Sequence, residues 1–184
     1  MMFTSCVINH QYNYPLDANI DSVSIVKEER LIKGAIIEVG QELAFAIDGD
    51  GFFELVKPNG EHVYTRYGKF YRDSNGQICN ESGYTLYGAP KIDSQVEEIT
   101  VLVDGSLSVT INNEITANGN LMLANFKNPE EIKFDSKGFV VQTVSLGNVY
   151  RGIPGQSSLG ILRQGFLEAK QKFTLITIAE TLKE

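Results

Sequence analysis

The chain has 184 residues, with 16 basic against 23 acidic side chains and a formal charge of −7. That length suits one domain, or one domain with appended arms, and the acidic balance argues against a general nucleic-acid binder, which needs a basic face. The longest apolar run, residues 43–47, is far short of the ~20 residues of a membrane helix, and no basic segment leads into an apolar stretch as a secretory signal requires.

Residues 1–32 contain Pro15 and the alternation Val23-Ser24-Ile25, and read as an extended arm. From residue 33 the chain is punctuated by turn signals: Asp48-Gly49, Pro58-Asn59-Gly60, Ser74-Asn75-Gly76, Ser82-Gly83, Asp104-Gly105 and Asn118-Gly119. Gly and Asn favour chain reversal because they tolerate positive φ. Runs 52–57 and 62–66 flank Pro-Asn-Gly, and runs 69–72 and 77–80 flank Asp-Ser-Asn-Gly, so each pair is expected to form a hairpin. Residues 107–111 alternate apolar with polar side chains, the mark of a half-buried strand. Residues 99–103, 121–126 and 139–144 are further expected strands. Short strands at this spacing predict a mainly β fold with an antiparallel domain over 33–170. Residues 171–184 are expected to hold one short helix. Leu175, Ile178, Ala179 and Leu182 fit one helical face, and Thr177 with Glu180 has the spacing of a capping box. So short a helix needs a surface to dock on.

Little reactive chemistry is written in the chain. Cys6 and Cys79 belong to no C-x-x-C pair and read as small buried or half-buried thiols. His10 and His62 are the two imidazoles, and His62 reads as a strand-surface residue. No H-E-x-x-H, G-x-S-x-G or P-loop occurs, and G-Q-S-S-L-G around Ser157 lacks the second glycine of a nucleophile elbow. Asp48 and Asp50 are spaced like the first two ligands of a calcium loop. Phe52 and Asn59 then occupy its third-ligand and final positions, so a turn is the better reading. No catalytic residue, metal ligand or cofactor site is assigned.

Several blocks form an ordered set. Residues 33–53 read K-G-A-I-I-E-V-G-Q-E-L-A-F-A-I-D-G-D-G-F-F, followed by V-Y-T-R-Y-G-K-F (63–70) and D-S-N-G-Q-I-C-N-E-S-G-Y-T-L (73–86). Then come V-L-V-D-G-S-L-S-V (101–109), L-M-L-A-N-F-K-N-P (121–129) and S-L-G-I-L-R-Q-G-F-L-E-A (158–169). Together they resemble the central part of the bacterial flagellar rod and hook axial proteins, with the distal-rod members nearest in pattern. The resemblance covers about residues 33–170. It implies a rod/hook-type β domain and a structural, non-enzymatic protein of the flagellar basal body. Such proteins assemble into an axial tube and are exported by the flagellar type III apparatus. The family-motif positions it marks are Gly49, Gly51, Phe52, Phe53, Tyr64, Thr65, Arg66, Gly68, Gly83, Tyr84, Asp104, Gly105, Gln164, Gly165, Leu167 and Glu168, all with structural roles. Residues 163–168 look like the family's exit from the β domain toward its C-terminal helix.

The implied partners are other axial subunits or further copies of the chain, with no nucleic acid, membrane insertion, cofactor or small-molecule substrate. Both ends depart from the family. Rod proteins begin and finish with long helices that pack as the inner wall of the tube, and residues 1–32 carry neither the Ala/Asn-rich signature nor a sustained helical period. The purified chain is therefore expected to be a monomer or small oligomer. It is expected in the basal body or periplasm if exported, and in the cytoplasm if its N-terminal segment does not support export. The competing expectation is a diverged β module that binds a soluble partner or a glycan, with Tyr64, Tyr67 and Tyr84 as a stacking platform.

Overall fold

The computed structural model describes the backbone of residues 23–169 and 172–181, and the side chains of residues 33–169. The chain divides into two compact units, one of residues 29–174 and one of residues up to 28 together with those from 175 on. Strands β1 (Val23–Ile32) and β17 (Lys172–Thr181) are hydrogen-bonded neighbours in a two-stranded sheet. Residues 172–181 are thus a strand, not the expected helix. Thr174, Ile176, Thr177, Ile178 and Thr181 are β-branched, stiff at χ1 and better suited to a strand. A second strand alongside supplies the ladder, which an isolated helix of that length lacks.

The larger unit is built from β2 (Ile36–Glu38), β3 (Ala44–Asp48), β4 (Phe53–Val56), β5 (His62–Thr65), β6 (Gly68–Lys69), β7 (Tyr71–Arg72), β8 (Ile78–Cys79) and β9 (Thr85–Leu86). It continues through β10 (Glu98–Val101), β11 (Ser106–Ile111), β12 (Glu114–Asn120), β13 (Leu123–Phe126), β14 (Val149–Gly152), β15 (Ile161–Gln164) and β16 (Phe166–Glu168). The assigned pairings among these strands are antiparallel. The sheet orders are β5-β4-β9-β8-β7, β15-β3-β6, β10-β11-β12, β13-β14 and β16-β2. Among the described residues the helical segments are two three-residue 3₁₀ turns, Pro129–Glu131 and Val144–Leu146.

One grammar closes five of the turns. Lys57, Asp73, Asn80, Leu102 and Asp135 each donate a backbone N–H to the carbonyl four residues on and accept one from the glycine three residues on. In three of them the first residue's own side chain reinforces the turn. Asp73 accepts from the N–H groups of Asn75 and Gln77, Asn80 from Ser82 and Tyr84, and Asp135 from Lys137 and Phe139, all at 2.7–3.0 Å. Such Asx bonds give the backbone a local partner in place of a longer strand.

Two expected features are absent. Asn118-Gly119 is not a turn but lies inside β12, beside a register shift. The reversal falls at Asn112-Asn113, with φ of 51° and 64°, the paired positive angles of a tight hairpin. Residues 139–144 do not form a strand. Phe139 and Val140 make single bridges to Thr65 and Phe134, and Val144 already belongs to a 3₁₀ turn, so no ladder runs alongside to extend them.

Adjacent side chains on a strand point to opposite faces, and Phe52-Phe53 uses this to serve two cores. Phe53 joins Phe45, Ile47, Leu55, Phe70, Leu107, Leu123 and Leu162 in the main cluster. Phe52 joins Tyr64, Ala124, Phe126, Ile132, Val140 and Leu146 in the second. Edge-on aromatic contacts hold each, Phe53 to Phe70 at 5.2 Å and Tyr64 to Phe126 at 5.0 Å. Each such side chain contributes about 1.5–3 kcal/mol of burial. Strand β3 runs through the centre, with Ala44, Phe45, Ala46 and Ile47 all buried, which explains its uninterrupted apolar sequence.

Candidate functional site

Among the described residues the buried charged or polar side chains are Glu54, Thr65, Arg66, Asn125 and Glu168. A buried charge is costly unless paired and hydrogen-bonded, so these residues mark where the fold makes polar demands.

Arg66 follows β5 and is 4% exposed. Its five N–H donors all find acceptors. Nε and Nη2 donate to Glu168 Oε2 at 2.7 and 2.6 Å, Nη2 also to the Ile47 carbonyl at 2.8 Å, and Nη1 to the carbonyls of Gly49 and Gly51 at 2.9 and 2.7 Å. The other Glu168 oxygen accepts the Gly34 N–H at 2.8 Å. The Asp-Gly-Asp-Gly turn is thereby wrapped around a guanidinium. Gly49 sits at φ 124°, and a Cβ there would lie 2.6 Å from the Gly160 Cα, so this crossing admits no side chain.

The clasp ties together three places far apart in sequence: the end of β3, the end of β5, and the β2–β16 pair near the two ends of the larger unit. Strand β16 pairs with β2 through Phe166–Glu38, Leu167–Ile37 and Glu168–Ile36. Just before it, the Gly165 N–H donates to the Ala44 carbonyl, and its own carbonyl accepts from Val39 and Gly40. Gln164 acts as a surrogate peptide between β15 and β10. Its Nε2 donates to the carbonyls of Ile99 and Glu42 at 2.7 and 2.9 Å, and its Oε1 accepts the Val101 N–H at 2.9 Å.

The structure therefore brings Gly49, Gly51, Arg66 and Glu168 into one site, with Gln164, Gly165 and Leu167 beside it. Phe52, Phe53 and Tyr64 fill the cores, and Thr65 accepts the Tyr67 N–H. Gly68 is packed directly over the Phe45 carbonyl. Gly83 and Tyr84 belong to a separate turn, and Asp104 and Gly105 to another, where Asp104 accepts the Ser106 N–H. The three tyrosines make no stacking platform. Tyr64 is buried, Tyr84 is half-buried against Phe139, and only Tyr67 is exposed.

Sequence reasoning missed a second polar centre. Arg151 of β14 grips Glu54 of β4 with two bonds of 2.5 Å, His62 Nδ1 lies 2.6 Å from Glu54 Oε1, and the Tyr64 hydroxyl donates to the same oxygen at 3.3 Å. Tyr87 caps the group, its ring 4.9 Å from the Arg151 guanidinium and 5.2 Å from the His62 ring. His62 is therefore part of a network and not a plain surface residue. Burial opposes ionisation of Glu54, but the bonds from Arg151 and His62 outweigh it and hold the carboxyl below its ordinary value. Burial and the neighbouring Glu54 charge push the Tyr64 hydroxyl up to about 12. The available signal was Glu54 itself, a charge set inside the apolar run Phe52-Phe53-Glu54-Leu55-Val56. Burial also raises the Cys79 thiol, with Asp73 adding to it.

Both carboxylates are held by guanidinium forks, an arrangement that fixes backbone segments in place. Among the described residues no cluster of three or more His, Cys, Asp or Glu side chains could hold a metal ion.

Residues 46–109 match the family model of the flagellar hook protein FlgE/F/G D1 domain. That segment contains the Arg66 half of the clasp and both phenylalanines, but not Glu168. The chain is 34% identical over 143 residues to the flagellar basal-body rod protein FlgG of Borreliella burgdorferi, covering 74% of this chain and 52% of that one. It is 30% identical over 138 residues to FlgG of Agrobacterium fabrum, covering 74% and 53%. Against FlgG of Buchnera aphidicola subsp. Acyrthosiphon pisum it is 30% identical over 160 residues, covering 85% and 60%. The chain thus spans between half and 60% of the length of these relatives.

Proposed function

The chain belongs to the bacterial flagellar rod and hook axial protein family, and from that premise we propose that it is a non-enzymatic structural component of the basal body, acting like a distal-rod subunit through contacts with other axial proteins. The observation that carries this reading is the clasp. Arg66 and Glu168 hold the incoming strand β2 and the outgoing strand β16 side by side at one place on the β body. A β body that docks on other axial subunits needs its incoming and outgoing strands held in a fixed register. The polar interior points the same way. Among the described residues every buried side-chain nitrogen and oxygen has a partner, so the body is a satisfied scaffold.

Its place is outside the cytoplasm, in the rod, reached through the flagellar export apparatus. Residues 23–32 and 172–181 pair as strands and not as the two helices of a tube wall. The purified chain therefore sediments as a monomer or small oligomer and does not form filaments. The test is deletion with complementation. The expected result is loss of motility, restored by the wild-type gene, with the protein recovered in purified basal bodies. Normal motility in the deletion strain, with the protein confined to the cytosol, overturns the reading and favours a repurposed binding module.

A further inference from the structure

We propose that the outer edge of β12 is a self-association site, where two copies of this chain pair antiparallel about a two-fold axis passing between their Thr116 residues. This goes beyond the flagellar reading and does not depend on it.

The edge is open. β12 is the last strand of the sheet β10-β11-β12, and among the described residues no strand pairs with its far side. The direction of its backbone groups follows from the ladder. The Thr110 carbonyl accepts the Glu97 N–H, so the Thr110 backbone is turned toward β10. Ile115 lies opposite Thr110, and its N–H and C=O therefore point outward; Ala117, opposite Ser108, repeats the arrangement.

The edge is also poorly defended. Exposed edges are usually blunted by lysine, proline, short length or a bulge. β12 has seven residues, no Lys or Pro, and one charge, Glu114. Its register shift comes only after Ala117, which leaves the stretch 114–117 regular. Every residue of that stretch is exposed, and Ile115 is 74% exposed.

One register uses all the outward groups of Ile115 and Ala117. Ile115 of each copy faces Ala117 of the other, giving four N–H···O=C bonds with Thr116 facing Thr116 at the axis. A Thr–Thr cross-strand pair is favourable, and each Ile115 then covers the second copy's Ala117. Glu114 faces Asn118 of the second copy. Asn118 is uncharged and Glu114 is the only charge in β12, so in this register no like charges stand directly opposite each other. One strand's worth of contact is well below the ~1,200 Å² of a standard stable interface, so the dimer is weak and concentration-dependent.

Sedimentation velocity of the full chain, from micromolar to millimolar concentration, tests the proposal alongside three variants. Wild type should shift reversibly from monomer to dimer. Ala117→Pro removes an outward N–H and leaves the bonds to β11 in place, and Ile115→Lys adds a charge at an exposed position. Both should stay monomeric where wild type dimerises, with unchanged circular dichroism. In a Cys6→Ser background, Thr116→Cys should form a disulfide-linked dimer on mild oxidation, at least tenfold faster than Asn75→Cys on a distant turn. Wild type that stays monomeric throughout overturns the proposal. So does a dimer or larger assembly that persists in Ile115→Lys while Thr116→Cys links no faster than the control.

Discussion

Removing one side of the clasp tests the central structural claim. In Glu168→Ala, Arg66 remains buried with Nε and one Nη2 hydrogen unpaired, and the Gly34 N–H loses its acceptor. Breaking a buried, hydrogen-bonded ion pair from one side costs about 3–5 kcal/mol. For a chain of this size, at about 2–4 °C per kcal/mol, the melting temperature should fall by roughly 6–20 °C. Arg66→Met should cost more, because it leaves the carboxylate buried and also strips the carbonyls of Ile47, Gly49 and Gly51 of their donor. Each orphaned group adds about 1–3 kcal/mol. The double variant Arg66→Met with Glu168→Leu removes the uncompensated charge but not the orphaned carbonyls. It should therefore be more stable than Arg66→Met and less stable than wild type. The chain contains no tryptophan, so urea unfolding followed by far-ultraviolet circular dichroism is the suitable assay. An Arg66→Met cost under about 1 kcal/mol, against the several expected for a buried pair, or a double variant no better than Arg66→Met, would refute the reasoning.

Other consequences are separable. A Cβ at Gly68 would meet the Phe45 carbonyl at 2.0 Å and the Phe53 ring at 2.6 Å, so Gly68→Ala should exceed the ~1–3 kcal/mol of ordinary overpacking and lower soluble yield. Glu54 carries a pH prediction. Its folded pKa lies below the ordinary 4.5, so the ionised carboxylate stabilises the fold above that value and the contribution disappears as pH falls through the folded pKa. The stability gap between wild type and Glu54→Gln should narrow on acidification, and a gap that widens in denaturant titrations contradicts this sign. Gln164→Ala should speed amide exchange at Val101, whose N–H loses its acceptor, without affecting amides of β4 and β5.

The short hairpins were legible because their cause is local. Pro-Asn-Gly and Asp-Ser-Asn-Gly carry the residues that close those turns, and the alternation of residues 107–111 reports a strand with one buried face. Long-range features were not legible in the same way. The strand at residues 172–181 has a partner near the other end of the chain, and the helical spacing of Leu175, Ile178 and Leu182 gives no sign of it. The turn at Asn112-Asn113 was hidden because Asn118-Gly119 has the stronger composition. In the site, the resemblance marked Arg66 and Glu168 separately. Their contact joins residues 102 apart, and one sequence contains no trace of which charges meet.

The acceptors around position 66 explain why arginine serves there. The acceptors around it are three carbonyls and a carboxylate oxygen, arranged around a plane and taking five hydrogen bonds. Lysine carries three donors on a point charge and could not serve them all, whereas the guanidinium presents five in a fixed fork. The family-matched segment 46–109 supplies the arginine and the turn that it fills. The acid comes from β16, on the way out. A chain that kept 46–109 but lost Glu168 would still bring Phe52 and Phe53 to their two cores. It would lose the bond that holds the outgoing strand β16 to the Arg66 turn and to the Gly34 N–H.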